Sequence, residues 1–141
     1  MTFVLGARSL ERLKGVHPDL VRVVKRAIAI SSQDFSVLEG VRSLARQKEL
    51  YAKGRTAPGP KVTWTMNSKH RKQADGFGHA VDLVPFPLDW NTTSKFNAIA
   101  DAVFRAAEVE GVAIRWGADW DRDGKPRERG ESDSPHFELV A

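Results

Sequence analysis

The sequence predicts an α+β fold: a small antiparallel sheet packed against about three helices. Three observations predict it. Three stretches carry apolar residues at helical spacing, four short runs between and after them read as strands, and the chain has the size of one domain. With 141 residues, 41% of them hydrophobic and 28% charged, it can enclose one core and has an ordinary globular composition. The expectation is a single domain over residues 1–141.

The first helix begins at Pro18, a favoured first-turn residue, after which Leu20, Val24, Ala27 and Ile28 share a face. His17, just ahead of it, reads as a helix-start residue with no chemical role. The first strand candidate covers 35–38. A second helix is expected from about Leu44 to Lys53, with Ser43 as its N-cap and Gly54 as its stop. Pro58 to Pro60 marks a loop, and 79–84 is the second strand candidate. The third helix is the clearest. Phe96, Ile99, Ala100, Val103, Phe104 and Ala107 follow the i, i+3, i+4, i+7 rule, Thr93 or Ser94 can cap it, and Gly111 ends it. Strand candidates at 112–116 and 136–140 complete the set. Between them lies a charged loop from Asp121 to Glu131, with Gly124, Pro126 and Gly130. Asp121, Asp123 and Gly124 begin like a calcium loop, but its 12-residue ligand pattern does not continue. This pattern does not specify the strand order.

The formal net charge is +4, which draws a chain toward polyanions such as nucleic acid, anionic membranes or the bacterial wall. The excess is local. Lys53, Arg55, Lys61, Lys69, Arg71 and Lys72 follow one another with no acidic residue between them, as a binding surface or a solvated basic loop. No apolar run approaches the roughly 20 residues of a membrane span. The first residues do not read as a signal peptide, because their charge follows a short apolar stretch. The expectation is synthesis and retention in a cytoplasm until something else releases the protein. Cysteine is absent, so any metal must be held by nitrogen and oxygen donors. The histidines are His17, His70, His79 and His136.

Two segments carry the chemistry. One holds Asn67-Ser68-Lys69-His70 and then Gly78-His79-Ala80-Val81-Asp82-Leu83; the other is Asp133-Ser134-Pro135-His136-Phe137-Glu138-Leu139. Side chains alternate faces along a strand, so Phe137 and Leu139 can anchor the core while His136 and Glu138 face a cleft. Asp82 likewise points away from Val81 and Leu83. A hydrolytic zinc site needs three protein ligands, an open position for water and a nearby carboxylate to take the water's proton. Asp133, in the turn before the last strand, suits that last part, with Glu131 and Glu138 as rivals. Glu138 is better placed to hydrogen-bond His136.

These residues resemble the LAS family of zinc peptidases, which includes VanX-type D-alanyl-D-alanine dipeptidases, VanY-type D,D-carboxypeptidases and phage L-alanyl-D-glutamate endopeptidases. Ser68, His70, Gly78, Ala80 and Asp82 match one family motif, and Asp133 and His136 match the other. Glu39-Gly40-Val41-Arg42-Ser43 with Gln47, and Trp116-Gly117-Ala118-Asp119-Trp120, resemble two further stretches of the family. The resemblance implies that His70, Asp82 and His136 bind Zn2+, that Asp133 is the general base and that Arg42 steadies the carbonyl oxygen as it becomes anionic. Ser68 and Gln47 are then substrate-side residues. The family has two residues between its first His and the Gly. This chain has seven, 71–77, which makes His79 a rival ligand to His70; the Ser-x-His context and the odd offset of His79 from Asp82 favour His70. Trp64, Trp116 and Trp120 read as core or cleft wall.

By resemblance the chain is expected to be a single catalytic domain, an endolysin-type peptidoglycan endopeptidase cutting the L-alanyl-D-glutamate bond and acting as a monomer without nucleic acid or membrane insertion. A D-alanyl-D-alanine carboxypeptidase or dipeptidase is the nearest alternative. A non-catalytic wall- or nucleic-acid-binding domain is the more distant one.

Overall fold

The computed structural model describes residues 3–41, 48–49, 51–53, 69–118 and 134–140. Along them run α1 (Ala7–Arg12), α2 (Pro18–Ile30), β1 (Phe35–Glu39), β2 (Ala80–Pro85), α3 (Thr93–Glu110), β3 (Ile114–Trp116) and β4 (His136–Leu139). The strands form one antiparallel sheet in the order β1-β2-β4-β3, so the architecture is the α+β one the sequence predicts.

Local chemistry explains where the helices begin and end. Pro18 opens α2, and the His17 ring caps it by accepting the Asp19 N–H on Nδ1 at 3.0 Å. Gly111 closes α3 with φ 69°, a left-handed turn suited to a residue without Cβ. The N-cap of α3 is Thr92 instead of Thr93 or Ser94, and its hydroxyl donates to Asp89 at 2.8 Å instead of receiving a helix N–H. Helix α1 has no counterpart in the sequence reading. It is six residues long and buries only Ser9, too little for an apolar period to register. The predicted helix from Leu44 to Lys53 lies mostly outside the described residues; Lys48, Glu49, Tyr51 and Ala52 are helical.

Strand limits shift slightly from expectation. His79 stands just before β2, and β3 starts at Ile114 because the Val112 N–H still donates to Ala107 O at the end of α3. Along β2 and β4, Val81, Leu83, Phe137 and Leu139 face one apolar cluster. Leu20, Val23, Val24, Ala27 and Ile28 of α2 and Ile99, Val103 and Ala107 of α3 belong to the same cluster. Phe137 is fully buried and stacks on Trp116, their ring centroids 6.2 Å apart. Truncating such a ring typically costs about 3–5 kcal/mol.

Helix α1 shields the outer edge of the sheet. Ser9 Oγ accepts the Val37 N–H at 3.0 Å and Arg12 donates to Val37 O at 3.0 Å, which occupies backbone groups an open edge would expose. No helix among the described residues is long and apolar enough to cross a membrane.

Candidate metal centre

Strand pairing brings two distant residues together. In the β2–β4 register Asp82 lies directly opposite His136, and antiparallel partners place their side chains on the same face. That face is opposite to the one carrying Val81 and Phe137 to the core. His70 arrives from a turn beside the strands. Its main chain is held there by the neighbouring Lys69 carbonyl, which accepts the His79 N–H at 2.7 Å.

The three side chains converge on one point. His70 Nε2 is 3.1 Å from Asp82 Oδ1 and 3.2 Å from His136 Nδ1, and His136 Nδ1 is 3.3 Å from Asp82 Oδ1. Donors around a tetrahedral zinc ion, with bonds of about 2.0–2.1 Å, stand about 3.3 Å apart. The triangle therefore has the spacing of three corners of such a tetrahedron. His70 is 2% exposed, whereas the Asp82 and His136 side chains are each 15% exposed, so the group opens to solvent on one side.

Tautomers decide what this triangle can hold. His70 Nδ1 faces the Gly40 carbonyl oxygen at 2.9 Å, and a carbonyl only accepts, so Nδ1 carries the hydrogen and Nε2 is bare. His136 Nε2 faces Glu138 Oε1 at 2.8 Å and donates to it, which leaves Nδ1 bare. Two imidazole lone pairs and a carboxylate oxygen thus point at each other. Such an arrangement calls for positive charge between them. The donor set, two nitrogens and one oxygen with no sulfur, fits zinc.

Electrostatics agree. Burial pushes the Asp82 carboxyl up, but when the rings are protonated their inner N–H groups donate to it, His136 first and then His70, and their positive charge adds to this. Together these outweigh burial and hold it well below the carboxylate range. Burial also pushes Glu138 up, and the His136 hydrogen bond, with Lys69 and Arg115 nearby, brings it below its ordinary value. An anionic Glu138 is the form that accepts the His136 N–H.

Gly40 supports this geometry by its lack of a side chain. A Cβ there would come 1.9 Å from the Arg12 carbonyl oxygen, so the backbone passes where no other residue fits. Its carbonyl is thereby fixed against His70.

Of the residues singled out in the sequence, His70, Asp82 and His136 meet, with Glu138 behind His136. His79 lies elsewhere, in a second cluster with His17 and Asp75. Trp116 is buried and its indole N–H donates to Ser134 O at 2.7 Å, so it packs the core side of β3. Arg42, Gln47, Ser68 and Asp133 lie outside the described residues, as do Glu131, Trp64 and Trp120. Two participants escaped the sequence reading. The Gly40 carbonyl is one; its only trace was a glycine in the Glu39–Ser43 stretch. Asp75 is the other; it falls in the extra residues 71–77, where no periodicity or motif marks it.

Relatives match nearly the whole chain. A family model described as phage L-alanyl-D-glutamate peptidase matches residues 1–140. The L-alanyl-D-glutamate peptidase of Escherichia phage T5 is 32% identical over 146 residues, spanning 99% of this chain and 100% of that one. The crystal structure of Serratia marcescens L-Ala D-Glu endopeptidase ChiX superposes with a TM-score of 0.75 at 39% identity, covering 97% of this chain and 90% of that one. With the family model matched almost from end to end and the fold shared, the chain belongs to the phage L-alanyl-D-glutamate peptidases.

Proposed function

We propose that this protein is a zinc peptidase that hydrolyses the L-alanyl-D-glutamate bond of peptidoglycan stem peptides. The observation that supports it most is the triangle of converging donor atoms on His70, Asp82 and His136, with spacing of 3.1–3.3 Å. A zinc ion bound there supplies a Lewis acid for the peptide carbonyl and acidifies water at neutral pH.

The chain's own residues do the rest. Gly40 and Glu138 hold the two imidazoles in their working tautomers. Asp133, three residues before His136 in the sequence, takes the proton of the attacking water and passes it to the leaving amine. Arg42 donates to the carbonyl oxygen as charge builds on it, a contact typically worth about 2.7–4 kcal/mol of barrier. Ser68 and Gln47 bind the substrate. These four roles follow from the family motifs that the residues match.

The whole chain acts as one catalytic domain and as a monomer. The protein reaches the wall after release from the cytoplasm that makes it, and the basic stretch from Lys53 to Lys72 engages the polyanionic wall, not nucleic acid.

Digestion of purified peptidoglycan with the zinc-loaded protein, read by mass spectrometry of new termini, tests the bond. New L-alanine carboxyl and D-glutamate amino termini are expected. Release of terminal D-alanine alone would replace the assignment with a D,D-carboxypeptidase. Asp133→Ala is expected to lose about 10²–10⁴-fold in rate while keeping its zinc. If it lysed outer-membrane-permeabilised cells as fast as wild type, a binding role without catalysis would replace this reading.

A further inference from the structure

Residues 69–79 form a closed loop, and its last residue is a junction. The His79 N–H donates to Lys69 O at 2.7 Å, and the His79 carbonyl accepts the Leu139 N–H at 2.9 Å. Lys69 precedes His70, Leu139 lies three residues past His136 on β4, and Asp82 follows three residues after His79 on β2. The main chain of one residue thus ties together all three segments that carry the converging donors. Whatever holds His79 bears on all of them.

Asp75 holds it. Its Oδ2 accepts from His79 Nε2 at 2.7 Å while its Oδ1 accepts the Phe77 N–H at 3.0 Å. A second imidazole approaches the same Oδ2: His17 Nε2, at 3.8 Å. His17 Nδ1 already accepts the Asp19 N–H, so in the neutral ring the hydrogen sits on Nε2 and faces the carboxylate. The His17 ring meets His79 edge-on at 5.3 Å and Phe77 at 5.6 Å. The main chains are joined here too. The His17 N–H donates to Gly78 O at 2.9 Å, and the Gly78 N–H donates to Gly15 O at 3.0 Å. The loop is therefore fastened to the start of α2, a helix anchored by five buried residues.

This cluster is not set for an ion. Both Nε2 atoms that face Asp75 carry hydrogen, and spacings of 2.7 and 3.8 Å are those of a hydrogen bond and a looser ion pair. We propose that Asp75 is a positioning residue. By gripping His79 and engaging His17, it ties the loop that begins at His70 to the start of α2, and so sets where His70 Nε2 stands relative to Asp82 and His136. The proposal rests on the zinc reading above and extends it to a residue that touches no ligand.

Zinc affinity measured by competition with a chromophoric chelator tests it, with metal stoichiometry and far-ultraviolet circular dichroism in parallel. Wild type is expected to bind one zinc per chain. Asp75→Ala and His79→Ala are expected to bind it roughly tenfold more weakly, the low end for residues that orient ligands from a distance, with the wild-type dichroism spectrum. Asp75→Asn still accepts the Phe77 N–H but presents an amide N–H to His79, which can meet it only with the ring turned to the other tautomer. It reads the loss of the charged grip without opening the loop, and is expected to weaken zinc in the same direction. His79→Gln, whose amide N–H reaches toward Asp75, is expected to restore most of the affinity lost in His79→Ala. Wild-type affinity in both Asp75 variants, or His79→Gln as weak as His79→Ala, overturns the role of Asp75 and leaves the metal centre standing. A second zinc in wild type that His79→Gln abolishes also overturns it, by making the cluster a metal site. A wild type that binds no zinc removes the metal centre and this role together.

Discussion

Two His–Asp–His clusters stand among the described residues, and they use the same residue types to opposite ends. In His70–Asp82–His136 the three closest donor atoms are spaced evenly, at 3.1–3.3 Å, and the outer ring nitrogens are engaged by Gly40 O and Glu138. In His17–Asp75–His79 the spacings to the carboxylate are 2.7 and 3.8 Å, and the outer nitrogen of His17 accepts a helix N–H. An acceptor behind an imidazole bares its inner nitrogen for a cation; a donor behind it puts the hydrogen inside, facing the carboxylate. What stands behind the ring distinguishes the proposed metal centre from the proposed hydrogen-bonded clasp.

The largest expected effect comes from the first cluster. His70→Ala or His136→Ala should abolish zinc binding and lower peptidoglycan hydrolysis by more than about 100-fold, beyond the range for residues that merely orient a ligand. His17→Ala should keep one zinc per chain by metal analysis. Equal zinc loss at the two sites would erase the distinction.

Glu138→Gln tests the backing directly. The amide can present N–H where the carboxylate presents oxygen, which turns the His136 tautomer the wrong way. Zinc affinity should fall about 10–100-fold, as read by chelator competition. Gly40→Ala attacks the other backing, because its Cβ would meet the Arg12 carbonyl. It should destabilise the metal-free fold by about 2–3 kcal/mol in chemical denaturation and weaken zinc as well.

The smallest effect is in pH. The native Asp82 carboxyl is held below its ordinary value of 3.8, so on acidification the unfolded chain takes up its proton first. Its contribution to stability is complete above the ordinary value and disappears as pH falls through the native one. The stability of metal-free wild type relative to Asp82→Asn should therefore shrink below about pH 4 in denaturant titrations. Asp75 is also held below its ordinary value, first by the Phe77 N–H and then by His79. It is exposed, and solvent screening should leave Asp75→Asn with the weaker pH dependence.

Legibility in the sequence followed the kind of interaction involved. Helices α2 and α3 were readable because Pro18 and Gly111 punctuate long amphipathic runs. Helix α1 was not, because it is held by Ser9 and Arg12 hydrogen bonds to β1 and not by an apolar stripe. Alternation placed Asp82 and His136 on the polar faces of their strands, but it says nothing of pairing, and it is the β2–β4 register that sets them opposite one another. His70 reaches the group through a turn, where periodicity is silent and the motif alone pointed to it. Main-chain acceptors such as Gly40 O leave no side-chain signature. The clasp around Asp75 joins His79, four residues along the same loop, to His17 at the start of α2, and no local pattern encodes that second meeting.

The seam between β2 and β4 carries a consequence for how the protein matures. Sliding one strand by a single residue flips its side chains to the other face, which would present Val81 or Leu83 to His136 where Asp82 now stands. A mis-zipped chain has no chelating pocket. The ion proposed for this site would bind only the aligned ladder, and so would add to the burial of Val81, Leu83 and Phe137 that already selects it.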